Sequence, residues 1–364
     1  MRKFYGGLDV GSSICELVVI DDQGERVYAK QFDTSERNLI LHVQDARKGL
    51  RGELHLALEE GEMAQWIAGV LRPEVTRLVV ADPKRNAWIA RDTQKGDRFD
   101  AEKLAKLFRG GFLKEVYHPE DQDRTEFKRV AQHYHALTMD QATLKVQIKA
   151  KYRAYGVILK GRLSEIFSRA GREACLTLLP GDRGRQMIRQ LYLMLDAAQE
   201  AQKQAKTLML AMGRKFPEVA RFAEVTGVGP VWSCTFSAYL QTPHRFKTKR
   251  KLWRFSRLGI TDRQSNGEPL GRRKLDPSGV GMLKQLSYQV FCTAMRFPDN
   301  DFKRHFDESL QRTKDKTHAR LSTQRKILTV LWAMWKNDQE YRPCGAEKRL
   351  LKEDGANGQT LARA

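Results

Sequence analysis

The sequence has few of the features that mark secreted, zinc-binding and membrane proteins. Its five cysteines are scattered between Cys15 and Cys344 and form no CxxC pair, so neither a disulfide framework nor a zinc site is predicted. No apolar run reaches the ~18 residues that a membrane-spanning helix needs. Because the chain starts directly with a strand pattern instead of a signal peptide, we expect a cytoplasmic protein with reduced thiols and no membrane partner.

The first third of the sequence also lacks the basic excess of the rest. Residues 1–120 hold 19 basic and 20 acidic side chains, whereas the remainder holds 46 basic and 24 acidic ones. A near-neutral part tolerates clustered carboxylates, and a basic part suits the neutralisation of phosphates. A basic surface that serves only solubility is the alternative.

The pattern of residues 1–122 predicts an α/β domain. Five short strand patterns and two helix patterns follow one another in the order β-β-β-α-β-α-β. The strands are expected at Tyr5–Val10, Glu16–Asp21, Arg26–Phe32, Leu54–Leu58 and Thr76–Ala81. This order is typical of an RNase H-like sheet, which is antiparallel on one side and parallel on the other.

The rest of the chain is predicted to be mainly helical. Residues 123–217 contain two long basic helix patterns, Arg124–Arg162 and Arg183–Lys215, expected to form a helical or coiled-coil hairpin that joins subunits, grips nucleic acid, or both. Residues 218–340 are expected to form a C-terminal, mainly α domain. The tail, 341–364, has no periodicity and is predicted to be disordered.

Acidic residues stand where the predicted strands of the first domain end. Asp9 ends the first strand and Glu59 the fourth; Glu60 is the second choice there, because Glu59 directly follows the apolar strand. Asp97 and Asp100, three residues apart at the start of a predicted helix, share one face of it. Since the first and fourth strands of an RNase H-like sheet are neighbours, we expect these carboxylates to converge at one edge.

Converging carboxylates repel one another, and Mg²⁺ relieves that repulsion because it prefers oxygen ligands. Two such ions about 4 Å apart activate a nucleophile and stabilise the leaving oxygen in phosphodiester chemistry. The alternative is that the acids are surface residues, or favourable charges at a helix N-terminus.

The third region contains two candidate phosphate-binding features. Gly227-Val228-Gly229 precedes an apolar helix and offers backbone N–H groups to a phosphate, although a plain tight turn is the alternative. Six basic residues interleaved with Phe246, Trp253 and Phe255 suit phosphate contact and stacking, or form only a solvated basic face. These six are Arg245, Lys247, Lys249, Arg250, Lys251 and Arg254.

His133 and His135 have no partner motif and are interpreted as helix-surface residues.

Seven segments of the sequence follow one another in the order of the motifs of a known family, namely Gly7–Gly11, Leu58–Gly61, Val80–Asn86, Lys95–Ala101, Gly227–Gly229, Arg245–Phe246 and Leu258–Ile260. Together they resemble the DEDD-type insertion-sequence transposases of the IS110 class, which pair a RuvC-like domain with a C-terminal transposase domain. The resemblance covers most of residues 5–295 and implies a recombinase with Mg²⁺ at Asp9, Glu59, Asp97 and Asp100.

The resemblance also implies a nucleophilic serine in the C-terminal domain. The family's Ser-Ser-Gly corresponds to Ser265-Asn266-Gly267, which makes Ser265 the candidate and Ser278 the reserve; an ordinary turn is the alternative. Further implications are target and donor DNA as substrates, an element-encoded guide RNA, dimers that pair into tetramers, and a nucleoid-associated location in a prokaryotic cytoplasm.

Two other functions fit the residues. A Holliday-junction nuclease would use the same acids to activate water and would need neither serine nor RNA. A noncatalytic nucleic-acid-binding protein would use the acids only structurally.

Overall fold

The computed structural model describes residues 2–83, 97–158, 165–261, 264–265, 268–269 and 274–343. The chain divides into two compact units between Glu120 and Asp121. The four-part domain organisation expected from the sequence stays a prediction. No helix in the described ranges is long and apolar enough to cross a membrane.

The first unit is built on a mixed sheet with the strand order β3-β2-β1-β4-β5. Its strands are β1 (Arg2–Val10), β2 (Ile14–Ile20), β3 (Arg26–Asp33), β4 (Gly52–Glu59) and β5 (Arg77–Ala81). The first three strands are antiparallel to one another, and β1, β4 and β5 are parallel. The mixed sheet and the adjacency of β1 and β4 agree with the RNase H-like prediction.

Helices cover both faces of this sheet. α1 (Glu36–Lys48) and α2 (Ala64–Leu71) pack on the face that carries Leu8 and Leu58. α3 (Asp97–Arg109) packs on the opposite face. Its buried residues recur at the spacing of one helix face, namely Ala101, Leu104, Ala105 and Phe108. The first turn of α3, with its acids, therefore lies on the face opposite α1 and α2.

The second unit begins with a helical hairpin. α4 (Gln122–Ala154) and α6 (Asp182–Gly213) run in opposite directions. Two side-chain contacts show this: Thr138 contacts Gln202, whereas Tyr152, later in α4, contacts Tyr192, earlier in α6. The predicted hairpin is confirmed, and its coiled-coil character stays a prediction. α4 ends at Ala154 instead of reaching position 162, since Gly156 follows in a left-handed conformation (φ +74°) that is typical of helix ends.

The remaining helices of the second unit pack around one apolar core that contains Phe222, Phe236, Leu286 and Leu328. They are α7 (Pro217–Ala223), α8 (Pro230–Leu240), α9 (Lys249–Phe255), α10 (Gly281–Ala294), α11 (Asp301–Thr313) and α12 (Lys316–Lys336). The exception is α5 (Arg169–Leu176), whose Leu176 packs with Ile148 and Ile188 of the hairpin helices. Two short ladders pair β6 (Ile260–Thr261) with β9 (Lys274–Leu275) and β7 (Gln264–Ser265) with β8 (Glu268–Pro269). The predicted mainly helical character is confirmed.

His135 corrects one expectation from the sequence. It is 6% exposed instead of lying on the helix surface, and its Nε2 lies 2.8 Å from the Thr235 hydroxyl. Burial lowers the pKa of His135 to about 4. His133, two residues earlier, is exposed as expected. Of the predicted tail, residues 344–364 lie outside the described residues.

Candidate functional site

Strand register brings Asp9 and Glu59 to the same level of the sheet. β1 and β4 are in parallel register up to Leu8 and Leu58, and Asp9 and Glu59 are the next residues. Because side chains alternate across a strand, both acids project to the face opposite Leu8 and Leu58. That is the face on which α3 packs.

Gly7 lets α3 approach this part of the sheet. A Cβ at Gly7 would overlap the carbonyl oxygen of Ala101 and lie 2.8 Å from the backbone nitrogen of Ala105. Only glycine leaves room for helix backbone at that distance. The glycine two residues before Asp9 thus fixes where the first turn of α3 lies.

The charges of Asp9 and Asp100 act on the carboxyl group of Glu59. Desolvation raises the pKa of Glu59, and the negative charges of Asp9 and then Asp100 raise it further. Asp100 is exposed on the first turn of α3. Asp97 is the first residue of that helix, and its side chain lies outside the described part of the chain.

The donor set at this edge suits a hard divalent cation, because Asp9, Glu59 and Asp100 offer only carboxylate oxygens. Among side chains that the structure describes, no group of three is placed to hold an ion. The chemistry of the donors therefore fits Mg²⁺, and the described geometry by itself does not complete a site.

Glu60 is engaged in other contacts, which favours Glu59 as the candidate ligand. Its carboxylate bonds Nε2 of His118, whose Nδ1 lies 2.5 Å from the Gln65 side-chain oxygen. The backbone nitrogen of Glu60 donates to the carbonyl of Ala81 on β5. Glu60 thus links the end of β4 to neighbouring segments.

Glu16 is an acid near this edge that sequence reasoning missed. It lies directly opposite Asp9 in the β1–β2 ladder and is only 7% exposed. Paired residues of an antiparallel ladder project to the same face, so Glu16 shares the face of Asp9. The signal was available, because Glu16 is the one acid within the apolar strand from Ile14 to Ile20.

The two candidate serines lie in different settings. The backbone of Ser265 pairs with Glu268 in a two-residue ladder, and the Ser265 side chain lies outside the described residues. Ser278 is exposed, and its backbone nitrogen donates to Asp276 Oδ1 at 2.9 Å. Burial alone would raise the pKa of Asp276, but hydrogen bonds from Ser278 and Arg254 lower it.

The glycine turn is tightly packed. Gly227 has φ +89°, and a Cβ there would lie 2.8 Å from the carbonyl oxygen of Val290. Gly229 is the N-cap of α8, with Pro230 as the first helical residue. The packing of Gly227 against α10 accounts for a tight turn without a ligand.

The predicted basic run is mostly exposed. Lys247, Lys249, Arg250 and Lys251 are exposed and form no salt bridge with described carboxylates, whereas Arg254 pairs with the buried Asp276 at 2.7 Å. The three aromatic residues of this run pack in or against the apolar core instead of forming a stacking surface. Phe246 is buried, and the Trp253 indole donates to the Thr329 hydroxyl at 2.9 Å.

Two family models match the chain. A DEDD-type model described as a transposase matches residues 6–155, and one described as "Transposase IS116/IS110/IS902 family" matches residues 219–307. Together they span well over half of the chain, including all four candidate acids and Ser265. No curated protein matches it.

Proposed function

Because the chain belongs to the IS110 class of transposases, we propose that it recombines DNA by means of a serine nucleophile and a Mg²⁺-binding carboxylate centre. The observation that carries the proposal is the placement of Asp9 and Glu59 at the ends of two paired parallel strands, on the sheet face against which α3, the helix of Asp97 and Asp100, packs. Asp9, Glu59, Asp97 and Asp100 are the proposed ligands. Bound there, Mg²⁺ would supply Lewis-acid stabilisation of charge on phosphate oxygens.

In the proposed reaction the hydroxyl oxygen of Ser265 attacks the scissile phosphorus. A serine–phosphate ester forms, the bond from phosphorus to one deoxyribose oxygen breaks, and the serine proton passes to solvent while the leaving oxygen takes up another. The hydroxyl of a new DNA end then attacks the ester and releases the serine. The covalent ester retains the bond energy needed for rejoining.

The proposal includes an element-encoded RNA that selects target and donor DNA, and an assembly of dimers into tetramers. The basic excess of residues 121–364 and the exposed lysines and arginine at 247–251 support nucleic acid as the partner.

Trapping a covalent protein–DNA adduct tests the nucleophile. Wild type and Ser278→Ala should form the adduct with the element's own DNA ends, and Ser265→Ala should not. An adduct that survives in Ser265→Ala would refute the assignment of this serine, and no adduct in active wild type would favour the junction nuclease.

Asp97→Ala should lose recombination while retaining DNA binding; an active variant would contradict the role of Asp97 as a ligand.

Sequencing the RNA that copurifies from cells carrying the native flanking DNA tests the guide. One discrete RNA encoded beside the gene supports guided recombination. Heterogeneous RNA that moderate salt removes would leave charge as the explanation.

A further inference from the structure

A basic cleft lies in the second unit between α10 and α12. It has a volume of about 560 Å³, within the range of roughly 300–1,000 Å³ that is typical of small-ligand pockets. Three cations line it, namely Arg257, Lys284 and Arg320, together with Tyr288. None of the lining residues that the structure describes is acidic.

The three cations are not neutralised within the described parts of the chain. No salt bridge there joins Arg257, Lys284 or Arg320 to a carboxylate, and the Nε of Arg320 is buried without a hydrogen-bond partner. Arg257 donates through its Nε to the carbonyl of Gly279 at 2.8 Å, and this bond holds its side chain near the N-terminus of α10. The cleft thus concentrates positive charge that an anion would offset.

Tyr288 gives the cleft an aromatic surface. Its side chain is 40% exposed, although most large aromatic residues of this unit are packed in its core. The guanidinium of Arg320 lies 5.6 Å from its ring centroid. Exposed aromatic rings beside cations bind unpaired bases, because every base offers a π-face and each nucleotide brings a phosphate.

We infer that this cleft binds one unpaired nucleotide of a single strand, with its base on Tyr288 and its phosphate between Arg257, Lys284 and Arg320. A base inside an intact duplex is already stacked and cannot enter such a pocket. The inference rests on the proposed function only in taking nucleic acid as the ligand. It is independent of which serine attacks and of any metal.

Fluorescence anisotropy with labelled 12-mers of deoxythymidine and of uridine tests the cleft, using the full chain in EDTA so that no strand is cut. Tyr288→Leu should weaken binding about five- to 150-fold, whereas Tyr288→Phe, which keeps the ring, should stay within about two-fold of wild type. Arg320→Gln should reduce the slope of log affinity against log salt by about 0.7. The control is Arg312→Gln on the exposed surface of α11, which should have a smaller effect.

Equal binding by wild type and Tyr288→Leu, or equal effects of Arg320→Gln and Arg312→Gln, would overturn the inference. A second measurement needs no variant: an oligomer carrying 5-iodouracil should cross-link to a peptide within 281–294, and cross-links only elsewhere would contradict it. Tighter binding of one 12-mer identifies the strand as DNA or RNA. If the wild type does not recombine DNA but Tyr288→Leu still weakens oligomer binding, the inference about the cleft is supported and the proposed function is refuted. If Tyr288→Leu leaves oligomer binding unchanged while the wild type recombines DNA, the inference about the cleft is refuted and the proposed function is supported.

Discussion

Replacing Gly7 by alanine should disable the proposed carboxylate centre without touching an acid. The new Cβ would lie 2.8 Å from the nitrogen of Ala105 and overlap the carbonyl oxygen of Ala101. Because an ordinary contact needs roughly 3.5 Å, the Ala105 nitrogen alone requires α3 to shift by about 0.7 Å, and the closer Ala101 oxygen requires a larger shift. Both obstacles are helix backbone, so no side-chain rotation relieves the overlap.

The shift has two measurable consequences. Overpacking of this kind costs about 1–3 kcal/mol of unfolding free energy, and a misplacement near 1 Å lowers activity about a hundred-fold. Urea unfolding and a recombination assay at saturating DNA measure these effects. Gly49→Ala is the matched control, since a Cβ there meets nothing within 4 Å and its φ of −87° suits alanine. Equal stability and activity of the two variants would refute the reasoning.

Three further outcomes are expected. Glu59→Gln should abolish recombination while Glu60→Gln, at the residue bonded to His118, retains part of it; the reverse order in the same assay would exchange their roles. His135 has a folded pKa of about 4 below its unfolded value of about 6.5, so only the unfolded state gains the proton in between. The contribution of neutral His135 to the free energy of unfolding should be fully present above about pH 6.5 and should fall by about 3 kcal/mol as the pH drops towards 4. In urea titrations, His133→Gln should keep this pH dependence and His135→Gln should lose it. Arg124→Met should lower the free energy of unfolding by about 3–5 kcal/mol, because it leaves the buried Glu218 without its ion-pair partner. Glu218→Gln should recover much of that loss in the double variant; additive losses would contradict the pairing.

Local patterns were sufficient to predict the sheet. Alternating apolar residues and the turns at Gly11 and Gly24 mark three antiparallel strands, and the two later apolar runs mark the parallel ones. The amphipathic spacing of Ala101, Leu104, Ala105 and Phe108 likewise predicts α3.

Long-range contacts limited the rest. His135 and Thr235 are a hundred positions apart, and nothing near His135 in the sequence indicates that its ring is buried. The preference for Glu59 over Glu60 rested on strand position alone, and the stronger reason is His118, 58 residues from Glu60. The glycine at position 7 was part of a recognised motif, yet its contact with the backbone of Ala101 depends on how α3 crosses β1.

The bonding of Ser278 bears on which serine can act. A neighbouring group that accepts the serine proton assists the attack, and such a base works best with a pKa near the ambient pH. The carboxylate that accepts hydrogen bonds from Ser278 is Asp276, whose pKa is held below its usual value by Ser278 and Arg254. Asp276 is therefore a weak base, and its bonds to Ser278 are those of a carboxylate that stabilises a turn. This favours a structural role for Ser278.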